Sequence, residues 1–121
     1  MRRTRIRQPI PFIYITMNNY VTLIGSISKP PSVKRFDDGS KIARFLVTTP
    51  KMYRKNDGKY AARLDWHRVF AWGNMASFVQ DHAEVGKKVA IHGRLVSRTF
   101  LDQQGRQRSS TEVELRQIIG L

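Results

Sequence analysis

The chain of 121 residues carries 22 Lys and Arg against 9 Asp and Glu, a formal net charge of +13 at pH 7. It contains no cysteine, which excludes disulfides, thiolate metal sites and cysteine nucleophiles. No apolar run approaches the roughly 20 residues that cross a bilayer, so we expect a soluble, single-domain protein. The excess of positive charge favours a polyanionic partner, nucleic acid before membrane, although evenly spread surface charge is an alternative.

The N-terminal segment differs in composition from the rest of the chain. Residues 1–16 carry four arginines and no acidic residue, followed by a short apolar patch that Pro9 and Pro11 interrupt. The segment lacks the longer apolar core and the cleavage site of a secretory signal. Because Met17 directly precedes the regular pattern, we expect 1–16 to be a basic extension, disordered or adding an edge strand, and 17–121 to be the folded domain.

Five segments alternate apolar and polar residues with the period of two that predicts β-strands. We expect Gly25 to mark a bend or bulge in the first strand, and Pro30 and Pro31 to end it. The predicted strands are 19–28, 41–49, 64–73, 88–97 and 111–119. The expected core-facing residues are Ala43, Phe45, Val47, Val89, Ile91, Gly93 and Leu95. In the first strand Val21, Leu23, Gly25 and Ile27 share one side, and in the last Val113 and Leu115 alternate with polar residues.

A helix is predicted between the third and fourth strands. Met75, Phe78, Val79 and His82 recur at helical spacing, with Asn74 as the expected cap and Gly86 as the stop. Five strands with a single helix at this place is the order of the OB-fold, a small barrel that binds oligonucleotides across one face. The sequence therefore predicts an all-β, five-stranded OB-fold Greek-key barrel with one short helix between strands three and four.

The third predicted strand has apolar residues on both of its faces, which indicates a central position in a sheet. One face would meet the core, and the other a partner that accepts rings and cations together. Single-stranded nucleic acid is such a partner, because bases stack on rings and phosphates pair with Arg and Lys. Burial of the tryptophans in the core is the alternative. The face with the tryptophans comprises Leu64, Trp66, Arg68, Phe70 and Trp72, and the other comprises Asp65, His67, Val69 and Ala71.

Two polar segments, a predicted loop at 50–62 and a predicted long hairpin at 98–110, also carry rings. In 50–62, Tyr53 and Tyr60 are set among lysines and arginines, a composition typical of an arm that grips a sugar-phosphate backbone. A charged hairpin tip that keeps a sheet edge soluble has a similar composition, and the two interpretations weigh about equally. In 98–110, Phe100 has no core to enter, which favours base stacking.

The sequence shows no catalytic or metal-binding constellation. His67, His82 and His92 have no accompanying cysteine, and their spacing does not place them on one helical face. Nothing around Asp65 or Glu112 indicates a pocket for acid-base chemistry, and no glycine-rich phosphate loop precedes a helix. We therefore predict a protein that is not an enzyme and needs no cofactor or metal.

Several short motifs follow one another in a fixed order along the chain. The set comprises 18–25, 65–69, 91–95, 102–105 and 111–113, together with Gly73, Gly86 and Phe100. Together these motifs resemble the bacterial single-stranded DNA-binding proteins, from about Asn18 to Leu121 without large gaps. The resemblance implies an OB-fold domain that assembles into a homotetramer, over which single-stranded DNA wraps.

The resemblance also assigns roles to individual residues. It implies stacking at four rings, with weaker contact at Tyr53 and Phe100, which stand where the family often has tryptophan. It places His67 near a subunit contact. The implied stacking rings are Tyr53, Trp66, Trp72 and Phe100, and the implied phosphate contacts are Lys51, Arg54, Lys55, Arg68, Arg94 and Arg98.

The function implied by the resemblance is protection of single-stranded DNA, without strong sequence preference, during replication, recombination and repair in the bacterial cytoplasm, at the nucleoid. Members of the family usually continue into a flexible tail with acidic residues that recruit replication and repair proteins. Because this chain stops at Leu121, recruitment is not carried over to it. A primosome-type or RNA-binding OB-fold module, a small enzyme and a purely structural interaction domain remain as alternatives.

Overall fold

The computed structural model describes residues 18–121, so the predictions for 1–16 lie outside the described residues. Five strands and one helix follow one another in this part of the chain. None of its helices is long and apolar enough to cross a membrane. The elements are β1 (Val21–Arg35), β2 (Lys41–Arg54), β3 (Tyr60–Trp72), α1 (Gly73–His82), β4 (Lys88–Leu101) and β5 (Gln107–Gly120).

The strands close into a barrel in the order β1-β2-β3-β5-β4. Neighbouring strands are antiparallel except β3 and β5, which run parallel where Val69 pairs with Val113. The helix α1 buries Ala76 and Val79 against the core. This architecture confirms the prediction of an all-β, five-stranded OB-fold barrel with one short helix between strands three and four.

The barrel core is filled by alternate side chains of all five strands, as the period of two predicts. Leu95 is an exception, because it was expected to face inward and is 47% exposed. The pairing of β1 with β4 ends at Gly93, so Leu95 lies beyond the covered part of the sheet. There the Asn19 side chain replaces a neighbouring strand, accepting from the Leu95 amide at 2.8 Å and donating to its carbonyl at 2.9 Å.

The prediction that Pro30 and Pro31 end the first strand is wrong, because β1 continues to Arg35. Lys29 pairs with Leu46 and Ser32 with Arg44, so three steps along β1 face two steps along β2. The extra residue forms a bulge, and a bulge accommodates prolines because some of its residues do not donate to the ladder.

The segment 50–62, predicted as a loop, is mostly strand, whereas the segment 98–110 is a hairpin as predicted. The β2–β3 pairing continues to Arg54 and Tyr60, and the β4–β5 pairing to Leu101 and Gln107. We call residues 50–64 the β2–β3 arm and residues 97–111 the β4–β5 arm. Their polar composition resembled that of a loop because a two-stranded arm beyond the barrel has no face in the core.

Two glycines allow close approach of strands in the barrel wall. A Cβ atom at Gly25 would overlap the Thr48 carbonyl oxygen, and one at Gly93 would overlap the Glu114 carbonyl oxygen. The pairing of β1 with β4 shows no bulge at Gly25, and the register shifts of β1 lie between Ile27 and Ser32. Gly25 instead permits contact with a neighbouring backbone, which only glycine allows.

The helix α1 begins without the predicted cap. Trp72, the last residue of β3, occupies the N-cap position and makes no side-chain capping hydrogen bond. Gly73, with φ of 60°, turns the chain directly from strand to helix, so Asn74 already lies inside the helix. The helix ends at His82, before Gly86, whose amide donates to the Ile27 carbonyl at 2.7 Å.

Candidate nucleic-acid interface

The strand registers define one continuous outward face of the barrel, which we call the open face. Residues paired across neighbouring strands point to the same side, so the rows can be followed from strand to strand. One such row crosses β2, β3, β5 and β4 through Arg44, Phe70, Glu114 and Arg94. The open face comprises residues 42, 44, 46 and 48 of β2, 66, 68, 70 and 72 of β3, 94, 96, 98 and 100 of β4, and 108, 110, 112 and 114 of β5.

The two tryptophans lie on this face and are not part of the core. Trp66 is 58% exposed and Trp72 is 45% exposed, whereas Val69 and Ala71 on the other side of β3 are buried. Trp72 lies six positions after Trp66, which corresponds to about 20 Å along a strand. The structure therefore excludes the alternative that both tryptophans are core residues.

Phe70 is buried although it belongs to the open face. The Cζ atom of Arg44 lies 5.9 Å from the centre of the Phe70 ring, within the range of a cation–π contact. Because Arg44 is paired directly with Phe70 across β2 and β3, its guanidinium covers the ring. Phe70 thus supports a basic surface.

A groove of about 430 Å³ crosses the open face between the β1 bulge and the β4–β5 arm. The side chains of Arg44, Arg68, Arg98 and Phe100 line it. A neighbouring groove shares Arg68 with it and is lined by Trp66. The structure thus brings Trp66, Arg68, Arg98 and Phe100 to two adjoining grooves, although they come from two distant parts of the chain.

The arginines of the open face differ in how far carboxylates neutralise them. Glu112, which is buried, has Oε1 3.5 Å from Arg44 Nη1 and Oε2 3.6 Å from Arg98 Nε. Arg94 Nε donates to Glu114 Oε1 at 2.6 Å. Within residues 18–121, Arg68 makes no salt bridge, so its charge is available to a ligand.

The β2–β3 arm divides its predicted site residues between two faces. Arg54 pairs with Tyr60 and continues the face of Trp66, whereas Tyr53 pairs with Ala61 on the opposite side. Lys51 shares the side of Tyr53. Lys55 lies in the turn, where its amide donates to the Lys59 carbonyl at 2.8 Å. The structure therefore does not bring Tyr53 and Lys51 together with Trp66.

The Asp102 carboxylate stabilises the turn at the end of the β4–β5 arm. Its Oδ1 accepts from the amides of Gln104 and Arg106 at 2.9 and 2.8 Å, and its Oδ2 accepts from Arg108 Nε at 2.9 Å. The Arg108 hydrogen bond, followed by that of the Arg106 amide, lowers the pKa of this carboxyl below its ordinary value of 3.8. Since Arg108 pairs with Phe100, the turn also helps to position the ring.

Three residues that the sequence did not select also lie at the open face or at its edge. Arg44 lines the groove, and its place in β2 opposite the core-facing residues was the available signal. The Phe36 and Trp72 ring centres are 5.9 Å apart, and Lys34 lies over the Phe36 ring. No periodic pattern marks Phe36, because it lies just beyond the end of β1.

His67, which the resemblance placed near a subunit contact, lies on the side of β3 opposite Trp66. Its Nε2 atom is 2.8 Å from Thr49 Oγ1, and both side chains are partly buried. This hydrogen bond holds the ring against the barrel wall, and its role in assembly stays a prediction. No group of three potential metal ligands among His, Asp and Glu occurs in residues 18–121.

Comparison with models of protein families matches residues 18–120 to the single-strand binding protein family. The chain belongs to this family. Members of the family bind DNA and are not enzymes. The single-stranded DNA-binding protein of Bacteroides thetaiotaomicron is 36% identical over 97 residues, which cover 78% of this chain and 60% of that relative. The match therefore spans about three fifths of the relative's length.

Solved structures of family members share the fold. The Plasmodium falciparum SSB, solved in complex with ssDNA, matches with a TM-score of 0.76 and 22% identity, covering 100% of this chain and 99% of that one. A deletion mutant of the single-stranded DNA binding protein of Thermus aquaticus matches with a TM-score of 0.72 and 24% identity, covering 85% and 50% of the two chains. At these identities the likeness shows the OB-fold.

Proposed function

We propose that this member of the single-strand binding protein family binds single-stranded DNA without strong sequence preference and without catalysis. The observation that carries the proposal is the position of Trp66 and Trp72, exposed on one face of β3 with Arg68 between them. Rings beside cations suit a ligand that offers flat bases along a chain of phosphates. The family membership and the named activity of the Bacteroides relative support the same ligand.

In this proposal, binding combines base stacking with phosphate neutralisation. Each ring contributes about 1 to 3 kcal/mol per stacked base, and each neutralised phosphate releases counterions. Stacking tolerates any base because every base has a flat face, which accounts for the lack of sequence preference. The proposed rings are Tyr53, Trp66, Trp72 and Phe100, and the proposed phosphate contacts are Lys51, Arg54, Lys55, Arg68, Arg94 and Arg98.

The two arms extend the proposed path of the DNA beyond the barrel. Phe100 and Arg98 line the groove from the β4–β5 arm. Lys51, Tyr53, Arg54 and Lys55 lie on the β2–β3 arm, divided between its two faces and its turn. A strand that follows this arm would therefore contact both of its faces, as in a ligand that wraps the protein.

We further propose that residues 17–121 form the DNA-binding domain and that the chain assembles into a homotetramer. A second outward face supports assembly, because Ile24, Ala90 and Ile119 form one row across β1, β4 and β5. Ile24 and Ile119 are exposed large apolar residues. The proposed cellular role is protection of single-stranded DNA in replication, recombination and repair, in the bacterial cytoplasm at the nucleoid.

Titration with oligo-dT tests the proposed ligand. Trp66 and Trp72 are the two tryptophans of the chain, so quenching of the intrinsic fluorescence reports on bases reaching the open face. If about six phosphates are neutralised per domain, log affinity falls with log salt with a slope near −4, at roughly −0.7 per phosphate. A slope near zero, or no quenching, contradicts the proposal.

Two further measurements address the alternatives. An RNA of equal sequence that binds as tightly as the DNA would favour an RNA-binding module. The solution mass with and without DNA tests the homotetramer, and a monomer at micromolar concentration would contradict it.

A further inference from the structure

A second aromatic cluster lies at the end of β3 that is remote from the arms. Lys34, Ile42 and Trp72 form one row across β1, β2 and β3. Phe36 follows β1 by one residue and contacts Trp72. The cluster of Lys34, Phe36 and Trp72 therefore adjoins the open face and extends it over the β1–β2 turn.

The cluster places two exposed rings and one ammonium group close together, which suits the base and the phosphate of a nucleotide. The ring centres of Phe36 and Trp72 are 5.9 Å apart with planes inclined by 33°, and Lys34 Nζ lies 5.1 Å from the centre of the Phe36 ring. Phe36 is 38% exposed and Trp72 is 45% exposed, so each ring leaves part of its surface to solvent. Exposed rings with a cation beside them offer a stacking surface and a phosphate contact in one place.

The turn that carries Phe36 is held by its own hydrogen bonds. The Phe36 amide donates to the Ser40 carbonyl at 2.9 Å, and the Gly39 amide donates to the Phe36 carbonyl at 3.0 Å. The Asp38 carboxylate accepts from the amide and the hydroxyl of Ser40 at 2.9 and 2.6 Å. These bonds engage the Asp38 charge within the turn and hold Phe36 in place before any ligand arrives, which lowers the entropic cost of binding.

We propose that Phe36, Trp72 and Lys34 form one subsite that stacks a base and pairs with the adjoining phosphate of single-stranded DNA. The inference rests on the proposed function. It adds a place where the bound DNA leaves β3 and continues over the β1–β2 turn. Trp66 and Trp72 are about 20 Å apart along β3. The subsite thus increases the length of single-stranded DNA that the protein contacts, beyond the groove.

Affinity measurements on variants of Phe36 test the subsite. Phe36→Leu keeps an apolar side chain against Trp72 but removes the ring, so we expect at least about fivefold weaker binding of oligo-dT, the lower end of the effect of one stacked base. Phe36→Tyr keeps a ring and should bind like the wild type. Lys34→Gln should reduce the salt slope by about 0.7. The matched control is Phe78→Leu, since Phe78 is an exposed ring on α1 that packs against His82.

Wild-type affinity in Phe36→Leu overturns the subsite, and so does an equal loss in Phe36→Leu and Phe36→Tyr. Thermal unfolding of each variant, followed by circular dichroism, shows whether a loss of affinity comes from loss of the fold. If Phe36→Leu unfolds, the cross-linking experiment decides by itself, because it uses the unaltered chain.

Photo-cross-linking with 5-iodouracil-substituted oligo-dT separates this inference from the proposed function. Trypsin releases Phe36 in peptide 36–41, where it is the single aromatic residue, and Trp66 in peptide 64–68. We expect cross-links in both peptides. Cross-links in 64–68 without any in 36–41 overturn the subsite and leave the proposed function intact. The absence of cross-links in every peptide contradicts both.

Discussion

Tyr53 and Trp66 lie on opposite faces of the ribbon that β2 and β3 form. Tyr53 is paired with Ala61 and Trp66 with Thr48, in a register that runs without a shift from Ile42 to Arg54. Since side chains alternate along a strand, the two rings cannot contact one flat ligand on one side. A DNA strand on the open face reaches Tyr53 only after it passes round the edge of the β2–β3 arm.

We therefore expect the effect of Tyr53→Ala to depend on the length of the DNA. With an oligo-dT of about eight nucleotides, within the range bound by one OB-fold, Tyr53→Ala should leave affinity unchanged and Trp66→Ala should weaken it. With an oligonucleotide several times longer, both variants should bind more weakly. Fluorescence anisotropy with labelled oligonucleotides measures this. An equal loss at both lengths for Tyr53→Ala would contradict the two-faced arrangement.

The buried carboxylate of Glu112 should oppose DNA binding. It lies between Arg44 and Arg98 and cancels part of their charge in the groove. We expect Glu112→Gln, which has nearly the same shape, to bind oligo-dT severalfold more tightly at low salt. The gain should shrink at high salt because screening weakens exposed charges. Weaker binding would instead indicate that the carboxylate is needed to orient the two guanidinium groups.

Arg68 and Arg94 form a matched pair for testing the phosphate contacts. Both lie on the open face, but Arg94 donates to Glu114 at 2.6 Å, whereas Arg68 makes no salt bridge within residues 18–121. Arg68→Gln should reduce the slope of log affinity against log salt by about 0.7. Arg94→Gln should reduce it by less, since its charge is already paired. Titrations at several salt concentrations compare the two slopes, and a larger change for Arg94→Gln would contradict this ranking.

The turn of the β4–β5 arm should stay ordered in acid. The Arg108 hydrogen bond, with that of the Arg106 amide, lowers the pKa of Asp102 below 3.8. A carboxyl with a lowered pKa stabilises the folded turn above its unfolded pKa and loses this contribution as the pH falls through the folded value. NMR titration of the Asp102 side chain should therefore give a midpoint below 3.8, with the Gly105 amide shifting at the same pH. In Asp102→Asn, the acid-dependent shift of Gly105 should disappear.

Glycine at position 93 should be required for stability. A Cβ atom there would overlap the Glu114 carbonyl oxygen across β4 and β5. Gly93→Ala should lower the free energy of unfolding by about 1 to 3 kcal/mol or more, as overpacking against fixed backbone does. Urea denaturation measures this. The control is Gly120→Ala, where the added atom would meet only the end of the flexible Lys87 side chain. Equal stabilities of the two variants would contradict the close approach at Gly93.

Part of the candidate site could be predicted from the order of adjacent residues in the sequence. The alternation in β3 predicts Trp66, Arg68 and Trp72 on one face and Val69 and Ala71 in the core, and the structure confirms this division. Sequence alone misplaces the end of the first strand at its prolines and assigns 50–62 to a loop, because composition reports local preference, whereas a bulge or a hairpin arm is stabilised by its partner strand. Leu95 was misjudged because its exposure depends on where β1 begins, at the residue that pairs with Gly93.

The sequence by itself determined which residues alternate as strands, where the helix lies, and that rings and cations occur together, because period and composition are properties of adjacent residues. Only the tertiary structure decided that Glu112 lies between Arg44 and Arg98, that Tyr53 and Trp66 face apart, and that Phe36 contacts Trp72. These relationships depend on strand register and barrel closure. Both are set by contacts between segments far apart in the chain. A shift of the strand register by one residue would move every side chain of that strand to the opposite face of the sheet.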